Sequence, residues 1–265
     1  MIIEYKLDID CTNTVEKISK FIKKSVQDSS LQGAVVALSG GLDSAVTLSL
    51  TVEALGSKDI TVLHLPERDI TPNQDTLDVI LHCKSLNLTC NTIDITSILH
   101  VMQKNLPKIT SNHRTCFGNL KARLRMTLIY FFANAYKKMV IGTSNKTELL
   151  TGFFTKYGDG GVDLIPLGDL YKTQIRQLAR YLKIPRNIID KPPSPGFFPG
   201  QTDEGELGLD YSTIDKVLYG WEKGFSSEEI SKSLDLNMST IRSLEKRVNI
   251  NEHKRNFPLI LRLSN

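Results

Sequence analysis

The stretch Ser39-Gly40-Gly41-Leu42-Asp43-Ser44 places two glycines, two hydroxyls and a carboxylate between an apolar run and a segment of helical character. Glycine permits tight backbone turns, so successive N–H groups of such a loop can converge on an anion. The amino end of the following helix also favours an anion, although its dipole contributes only about 0.3–1 kcal/mol at an exposed site. A polyphosphate therefore needs a cation as well, and Asp43 is a suitable Mg²⁺ ligand.

The loop lacks the lysine that follows the glycines in the common nucleotide-binding loop, and this restricts the type of phosphate chemistry. The pattern GxxxxGK[ST] does not occur in the sequence, which disfavours ordinary γ-phosphoryl transfer. The alternative interpretation is a glycine-rich turn followed by a Ser/Asp helix cap. The position of the loop, directly after an apolar strand and directly before a helix, favours the phosphate site.

The elements that must position this loop alternate regularly along the first 150 residues. Short apolar runs, typical of buried parallel strands, alternate with helical patterns; the runs are GAVVALS, DITVLHLP, LTCNTIDI and VIGTSN. This alternation predicts an α/β fold with a doubly wound parallel sheet flanked by helices. Ligands bind beyond the carboxyl ends of parallel strands, which is where Ser39 and Thr143 fall.

The second half of the chain has a different character. Two stretches rich in Gly, Pro and Asp, residues 151–170 and 190–208, are too long for simple connections and are predicted to be functional loops or lids. The stretch LYKTQIRQLARYL between them predicts an amphipathic helix. We expect a single domain over residues 1–265, with a core at 12–208 and a helical closing segment at 209–265.

Composition excludes several classes of protein. The net charge of +4 is too diluted to indicate a nucleic-acid binder. No apolar stretch approaches the roughly 18 residues that span a bilayer, and the first residues, MIIEYKLDIDC, do not resemble a signal peptide. The four cysteines form no CxxC pair, so we expect reduced thiols rather than a zinc or iron–sulfur site. A soluble protein of the cytoplasm is predicted.

The motif SGGxDS resembles that of the PP-loop ATP pyrophosphatases, which cut ATP between its α and β phosphates and transfer AMP to an acceptor oxygen. That family includes GMP synthetases, asparagine synthetases, tRNA-modifying ligases and NAD synthetases. Four further segments resemble the NAD synthetases in particular: GNLKARLRM at 118–126, GTSNKTELLTGFFTKYGDGGVDLIPLGDLYKTQIRQLARYL at 142–182, KPPSPGFFPGQTDEGELG at 191–208 and EHKR at 252–255. The resemblance runs from about residue 12 to residue 258.

The resemblance implies an adenine nucleotide alpha hydrolase-like fold and a defined reaction. Deamido-NAD would be amidated by ammonia at the expense of ATP, through a deamido-NAD adenylate, to give NAD, AMP and pyrophosphate. Mg²⁺ would be held by Asp43 and Glu148. ATP would be bound by Leu38, Ser39, Gly40, Gly41, Leu42, Asp43, Ser44, Thr143, Lys172 and Ser194.

The resemblance also assigns residues to the acceptor and to catalysis. Deamido-NAD would be bound by Arg123, Tyr130, Lys156, Asp159, Asp163, His253 and Lys254. The catalytic set would be Ser39, Asp43, Ser44, Lys172 and Asp163, the last as acceptor of the ammonium proton or as a positioning group. His64 and Arg68 lie where some family members contact adenine, and neither is assigned.

Partners and competing functions follow from the same features. The family forms homodimers, and the apolar helix at 118–138 is the expected interface. The synthetase motifs fill the chain, so free ammonia is the expected nitrogen donor, although a separate glutaminase subunit stays open.

Another PP-loop ligase would need catalytic cysteines, a basic surface or different substrate loops. The stretch SSEEISKSLDLNMSTIRSLEKRV, residues 226–248, resembles a helix-turn-helix and offers nucleic-acid binding as the alternative of another class.

Overall fold

The architecture is a parallel sheet between helical layers, seen in a computed structural model that describes residues 3–107, 114–198, 200–261 and 263. Helices and strands are numbered in chain order. The strands are β1 (Ala34–Ala37), β2 (Ile60–His64), β3 (Cys90–Thr92) and β4 (Met139–Ile141), in the spatial order β3-β2-β1-β4 and all parallel. The strand order reverses direction between β1 and β4, which places a ligand-binding crevice at their carboxyl ends.

The helices of the described residues cover both faces of this sheet and continue beyond it. They are α1 (Cys11–Asp28), α2 (Leu42–Leu55), α3 (Asn73–Ser85), α4 (Thr96–Asn105), α5 (Arg114–Tyr136), α6 (Lys146–Thr151), α7 (Lys172–Tyr181), α8 (Arg186–Ile189), α9 (Asp203–Leu207), α10 (Tyr211–Glu222), α11 (Ser227–Leu234), α12 (Met238–Ile250) and α13 (Glu252–Arg255). None of them is long and apolar enough to cross a membrane.

Alternation along the strands divides the core between the two faces of the sheet. Val35 belongs to a buried cluster that contains Leu99 of α4 and Leu124 of α5. Its neighbour Val36 belongs to another cluster, which contains Leu48 of α2 and Val79 of α3. Side chains of a strand point alternately to opposite faces, so both faces are covered by helices. The prediction of a doubly wound parallel sheet is confirmed.

The chain after β4 supplies the remaining parts of the site. Helix α6 follows β4 after a short turn, and an isolated parallel bridge between Ile141 and Leu164 brings the next irregular segment back to the sheet. The second irregular stretch contains the short helix α9, which the sequence pattern does not predict. Helix α4 also lies outside the sequence prediction, because it is short and buries only Leu99.

The closing segment packs on helix α7 and on the start of the chain. A buried cluster joins Ile214 and Val217 of α10 with Ile241 of α12, and it includes Ile3 and Tyr171. Helix α13 lies against the segment after α6, because Lys254 Nζ donates to the carbonyl oxygens of Gly152 at 2.7 Å and of Phe154 at 3.1 Å. The end of the chain therefore lies beside the irregular segment that follows Thr151.

Candidate active site

The loop after β1 is organised by its own two serines. Ser44 Oγ donates to the Gly41 carbonyl oxygen at 3.0 Å and accepts from Ser39 N at 3.3 Å. Gly41 N donates to Ser39 Oγ at 3.2 Å. Ser44 is buried and Ser39 is exposed, so one hydroxyl holds the loop from inside while the other faces outward. The loop is therefore held by its own serine hydroxyls at the amino end of α2, a position that favours an anion.

Three charged side chains meet beside this loop. The ammonium group of Lys172, at the start of α7, contacts Asp43 Oδ2 directly and lies 3.6 Å from Glu148 Oε1. Burial opposes the charge of Lys172, but the carboxylates of Asp43 and Glu148 outweigh burial and raise its pKa. The pKa of Glu148 is raised to about 8, by burial first and by the Asp43 charge second. Two acids therefore share one cation here.

Asn145 places the two carboxylates relative to each other. Its side chain accepts from Glu148 N at 2.9 Å, and Glu148 Oε2 accepts from Asn145 N at 3.2 Å, which forms a capping box at the start of α6. The Asn145 amide also donates to Asp43 Oδ1 at 3.2 Å. The N-cap residue of α6 thus holds the carboxylate of Asp43 on α2.

A third acid, Asp203 of α9, approaches the same group. Tyr211 O–H donates to Asp203 Oδ2 at 2.7 Å, and Lys172 Nζ lies 5.0 Å from the centre of the Tyr211 ring. Asp203 is buried, burial raises its pKa, and its Oδ1 has no hydrogen-bond partner among the described residues. A buried unpaired carboxylate oxygen is costly, which indicates a missing cationic or donor partner.

These residues fit a magnesium ion that is completed by other ligands. Mg²⁺ prefers oxygen, and in phosphate sites it uses one or two carboxylates together with substrate phosphates and waters. Asp43 and Glu148 supply two carboxylates next to the anion loop. No group of three or more His, Cys, Asp or Glu side chains in the described ranges is arranged to hold a metal by itself. Phosphate oxygens would therefore have to complete the coordination.

The two residues left unassigned for adenine have partners within the chain. His64 is buried, with Nδ1 2.9 Å from the Leu38 carbonyl oxygen and Nε2 2.9 Å from Thr76 Oγ1. His64 therefore supports the entry to the loop rather than an open surface. Arg68 donates to Asp94 Oδ2 at 2.8 Å in an exposed ion pair.

A second group of predicted residues gathers where α13 meets the irregular segment. Lys156 Nζ donates to the carbonyl oxygens of His253 at 2.5 Å and of Asn256 at 3.0 Å. Arg123 donates to the Lys156 carbonyl oxygen at 3.3 Å. Asp159 accepts from Thr155 N at 2.9 Å in the same segment. The structure therefore brings Arg123, Lys156, Asp159, His253 and Lys254 into one neighbourhood.

Tyr130 and Asp163 form a separate pair. Tyr130 O–H donates to Asp163 Oδ1 at 2.9 Å, and Val140 N donates to Asp163 Oδ2 at 2.8 Å. Both line a cleft with Leu31 and Lys138, residues that precede β1 and β4. The pair thus lies toward the amino ends of these strands, whereas Asp43 and Glu148 lie beyond the carboxyl ends. The structure does not bring Asp163 to the phosphate loop.

Phe197 and Phe198 of the segment 191–208 lie against helix α5. Lys121 of α5 donates to the Phe197 carbonyl oxygen at 2.8 Å and pairs with Glu67 at 2.6 Å. A Cβ at Gly118 would come within 3.0 Å of the Phe197 ring, so this glycine permits the close approach. Ser194 is exposed on this segment, and its Oγ accepts from Gly196 N at 3.1 Å. Thr143 lies half-buried in the turn after β4.

Three residues of the site received no role in the sequence analysis: Asn145, Lys191 and Asp203. Asn145 and Asp203 lie in motifs that the sequence analysis used, but their contacts with the acids are long-range. Lys191 donates to the Gly40 carbonyl oxygen at 2.8 Å across 151 residues. In the sequence, the features that could have indicated a role are the position of Asn145 after a strand and that of Asp203 after a threonine cap.

A parallel sheet with an anion loop, a carboxylate pair and a lysine at its switch point defines an α/β enzyme that acts on a nucleotide phosphate. The family model described as NAD synthase matches residues 14–258. The chain belongs to the NAD synthase family, and its fold is the adenine nucleotide alpha hydrolase-like fold of that family.

Curated relatives and solved structures agree with this membership. The NH(3)-dependent NAD(+) synthetase of Methanosarcina acetivorans is 45% identical over 250 residues, which cover 94% of this chain and 98% of that protein. The NMN synthetase of Francisella tularensis has a TM-score of 0.84 and 34% identity, with 96% of this chain and 99% of that chain covered. The NH3-dependent NAD synthetase of Campylobacter jejuni has a TM-score of 0.81 and 34% identity, with 96% and 100% covered.

Proposed function

We propose that the protein amidates deamido-NAD with ammonia, using ATP that is cleaved between its α and β phosphates. The observation that carries the proposal is the convergence of Asp43, Glu148 and Lys172 beside the Ser39–Ser44 loop. The membership of the NAD synthase family and the near-complete coverage of an NH(3)-dependent NAD(+) synthetase support it.

The first step activates a carboxylate that would otherwise have oxide as its leaving group. The nicotinate oxygen attacks the α-phosphorus of ATP, the bond to the β-phosphate bridging oxygen breaks, and pyrophosphate leaves. The loop and the outward-facing Ser39 hydroxyl would hold the departing anion, the buried Ser44 hydroxyl would hold the loop from inside, and Lys172 would balance the charge of the anion. A bound Mg²⁺ would offset negative charge on the phosphate oxygens from its place on Asp43 and Glu148.

The second step replaces AMP by nitrogen. Ammonia attacks the carbonyl of the adenylate, AMP departs, and a proton is lost from nitrogen to give the amide. The adenylate must be kept from water. We propose that the segment 191–208 covers it, a role that the contact of Lys121 with Phe197 on α5 supports.

The acceptor would lie along the second group of residues. Arg123, Lys156 and Lys254 supply positive charge that suits the pyrophosphate and carboxylate of deamido-NAD, and His253 lies beside them. We assign Asp159, Tyr130 and Asp163 to the same substrate. Because both Asp163 oxygens already accept hydrogen bonds at the amino end of β4, its role is binding and positioning.

We propose a homodimer that associates through α5. Phe131 is 66% exposed and Tyr136 is 50% exposed on that helix, an apolar surface that a second copy would cover. We place the enzyme in the cytoplasm, which the four free cysteines support because thiols stay reduced there. Small molecules, and not nucleic acid, are the expected partners.

The assay combines purified protein with ATP, Mg²⁺, ammonium and deamido-NAD. We expect NAD, AMP and pyrophosphate in equal amounts. ADP as the product, or ATP cleavage that does not depend on deamido-NAD, would contradict the proposal. Because the NMN synthetase of Francisella tularensis is also 34% identical, nicotinate mononucleotide is tested in parallel. A higher kcat/KM for the mononucleotide would reassign the acceptor and leave the chemistry unchanged.

A further inference from the structure

Lys191, the first residue of the segment 191–208, binds three oxygens on the far side of the phosphate loop. Its Nζ donates to the Gly40 carbonyl oxygen at 2.8 Å, to Asp75 Oδ1 at 2.7 Å and to Asp78 Oδ2 at 2.6 Å. An ammonium group has three protons, so each of them has an acceptor. The lysine is therefore held in one place and cannot move without breaking all three bonds.

The acids that hold Lys191 are themselves fixed. The Asp78 side chain is fully buried, and its Oδ1 accepts from Gln74 Nε2 at 2.7 Å and from Asn187 Nδ2 at 2.7 Å. A buried carboxylate with this many donors is rigid, because losing any one of them leaves a desolvated charge. Asp75 and Asp78 both belong to α3, so the ammonium group ties the loop to that helix.

The loop backbone requires this close packing on α3. Gly40 has φ +85°, and a Cβ there would lie 2.7 Å from the Asp75 carbonyl oxygen. Because glycine has no Cβ, it adopts this positive φ without strain and avoids the collision with Asp75. The Gly40 carbonyl oxygen can then turn toward the lysine behind the loop.

The direction of that carbonyl determines the direction of the next amide. In a trans peptide the C=O and N–H bonds point to opposite sides. With the Gly40 oxygen bound to Lys191, the Gly41 N–H faces the other side, where Ser39 Oγ accepts it at 3.2 Å. A rotated peptide would present an oxygen to the anion, which repels it.

We propose that Lys191 is a positioning residue of the phosphate loop, which fixes the Gly40–Gly41 peptide so that its N–H holds Ser39 Oγ in place for the departing pyrophosphate. Since Lys191 begins the segment 191–208, docking of that segment and formation of the anion site are coupled. The proposal rests on the proposed function for the identity of the anion. It does not require contact between Lys191 and any substrate.

The test uses the full chain and inorganic pyrophosphate with Mg²⁺ as the probe. We expect Lys191→Met to weaken calorimetric binding of Mg-pyrophosphate by about 10- to 100-fold, the order of effect seen when a preorganised donor is lost. In initial-rate assays kcat/KM for ATP should fall by a similar factor, with KM for deamido-NAD unchanged. Lys191→Arg keeps the charge and should recover part of the pyrophosphate affinity.

The matched control is Lys138→Met. Lys138 Nζ donates to Thr61 Oγ1 at 3.0 Å beside the start of β4, away from the loop. This variant loses a half-buried lysine and a hydrogen bond but should bind Mg-pyrophosphate like the wild type. Equal losses in the two variants, or wild-type affinity in Lys191→Met, would overturn the proposal.

A second variant keeps the test decisive if Lys191→Met does not fold. Asp75→Asn preserves the shape of the side chain and weakens only the charge that holds Lys191. It should lower Mg-pyrophosphate affinity by about threefold or more, because one of the two carboxylates that hold the Lys191 ammonium group becomes a neutral amide. Unchanged affinity in this variant contradicts the proposal. A wild-type protein that binds Mg-pyrophosphate but makes no NAD would refute the proposed function and leave the role of Lys191 standing.

Discussion

Asp215 Oδ1 accepts the hydroxyl proton of Thr147 at 2.6 Å, although 68 residues separate the two along the chain. Asp215 Oδ2 accepts from Thr173 N at 2.8 Å, and Thr147 Oγ1 in turn accepts from Lys172 N at 3.1 Å. One buried carboxylate of α10 thus binds the first turns of α6 and α7 together. Those turns carry Glu148 and Lys172, so the closing segment sets the distance between the acid and the ammonium group.

Asp215→Asn should therefore impair catalysis from outside the site. An amide can accept with only one of its two atoms, so either Thr147 or Thr173 loses its partner. We expect a loss of about 1–3 kcal/mol in the free energy of unfolding, as for an unsatisfied buried group. We also expect kcat to fall by about tenfold or more, because small displacements of catalytic groups are expensive.

Two measurements on Asp215→Asn separate a displacement of the catalytic groups from a loss of folding stability. Urea unfolding gives the stability change, and steady-state kinetics below the unfolding transition gives kcat. Asp169→Asn is the control, because the exposed Asp169 carboxylate pairs only at the surface with Lys146. A destabilised Asp215→Asn with unaltered kcat would show that the contact is merely structural.

Glu148→Gln should raise the Mg²⁺ requirement while it stabilises the metal-free protein. Burial and Asp43 raise the pKa of Glu148 to about 8, so its negative charge is unfavourable in the folded chain even beside the Lys172 ammonium group. A neutral amide removes that cost, which we expect to add about 1 kcal/mol or more to the stability, since one pKa unit corresponds to about 1.4 kcal/mol. Half-maximal Mg²⁺ should rise at least about tenfold, because even outer-sphere changes weaken metal sites that much.

The control for this prediction is Glu16→Gln. Glu16 forms an exposed pair with Lys20 on α1 and has no contact with the loop. Its Mg²⁺ titration should match that of the wild type. If the Mg²⁺ titration of Glu148→Gln also matches, Glu148 is not part of the metal site.

The sequence predicts those helices and strands whose pattern lies in residues that are adjacent along the chain. The apolar run before Ser39 and the helical spacing after Asp43 are local patterns, and β1 and α2 follow them within one residue or two. The strand order β3-β2-β1-β4, and with it the switch point between β1 and β4, is seen only in the structure. Before any contact is known, Asp43 is paired with Glu148 through the resemblance to the NAD synthetases and not through the strand pattern.

The contacts that complete the site depend on chain reversals that no local pattern encodes. Asn145 lies in a turn that looks like a simple cap, yet its amide reaches Asp43. Lys191 is one of many lysines until the loop returns to Gly40. Asp163, grouped by its motif with the catalytic residues, instead meets Tyr130 at the amino end of β4. Motifs indicate which residues matter, whereas packing determines which of them meet.

Lys156→Met should weaken binding of the acceptor without affecting ATP. Its ammonium group ties the carbonyl oxygens of His253 and Asn256 to the segment after α6, where the acceptor-binding group gathers. We expect KM for deamido-NAD to rise by about tenfold, the effect of one charged hydrogen bond of about 1.5 kcal/mol. KM for ATP should stay within error, since the loop at Ser39 is unaltered.

Lys223→Met is the matched change for Lys156. Lys223 lies after α10 and, like Lys156, stacks its ammonium group beside a tyrosine ring. It should leave both KM values unchanged. A parallel rise of KM for ATP and for deamido-NAD in Lys156→Met would remove Lys156 from the acceptor site and indicate a general loss of order.

The stability of the protein should fall as the pH decreases below about 6.5, partly because of His82. This histidine is buried against α2, with Nε2 3.1 Å from the Ala45 carbonyl oxygen and 3.3 Å from Ser49 Oγ, while Nδ1 has no hydrogen-bond partner among the described residues. Burial lowers the pKa of His82 from its ordinary value of 6.5. The unfolded chain therefore binds a proton in a pH range where the folded chain does not, so stability is lost toward acid.

His82→Gln isolates this contribution, because glutamine can still donate to Ala45 O but does not titrate. Urea unfolding between pH 7.5 and pH 5 should show a shallower loss of stability in the variant, by up to about 1.4 kcal/mol per pH unit for one proton. Equal slopes in His82→Gln and the wild type would mean that His82 is protonated as readily in the folded protein as in the unfolded chain.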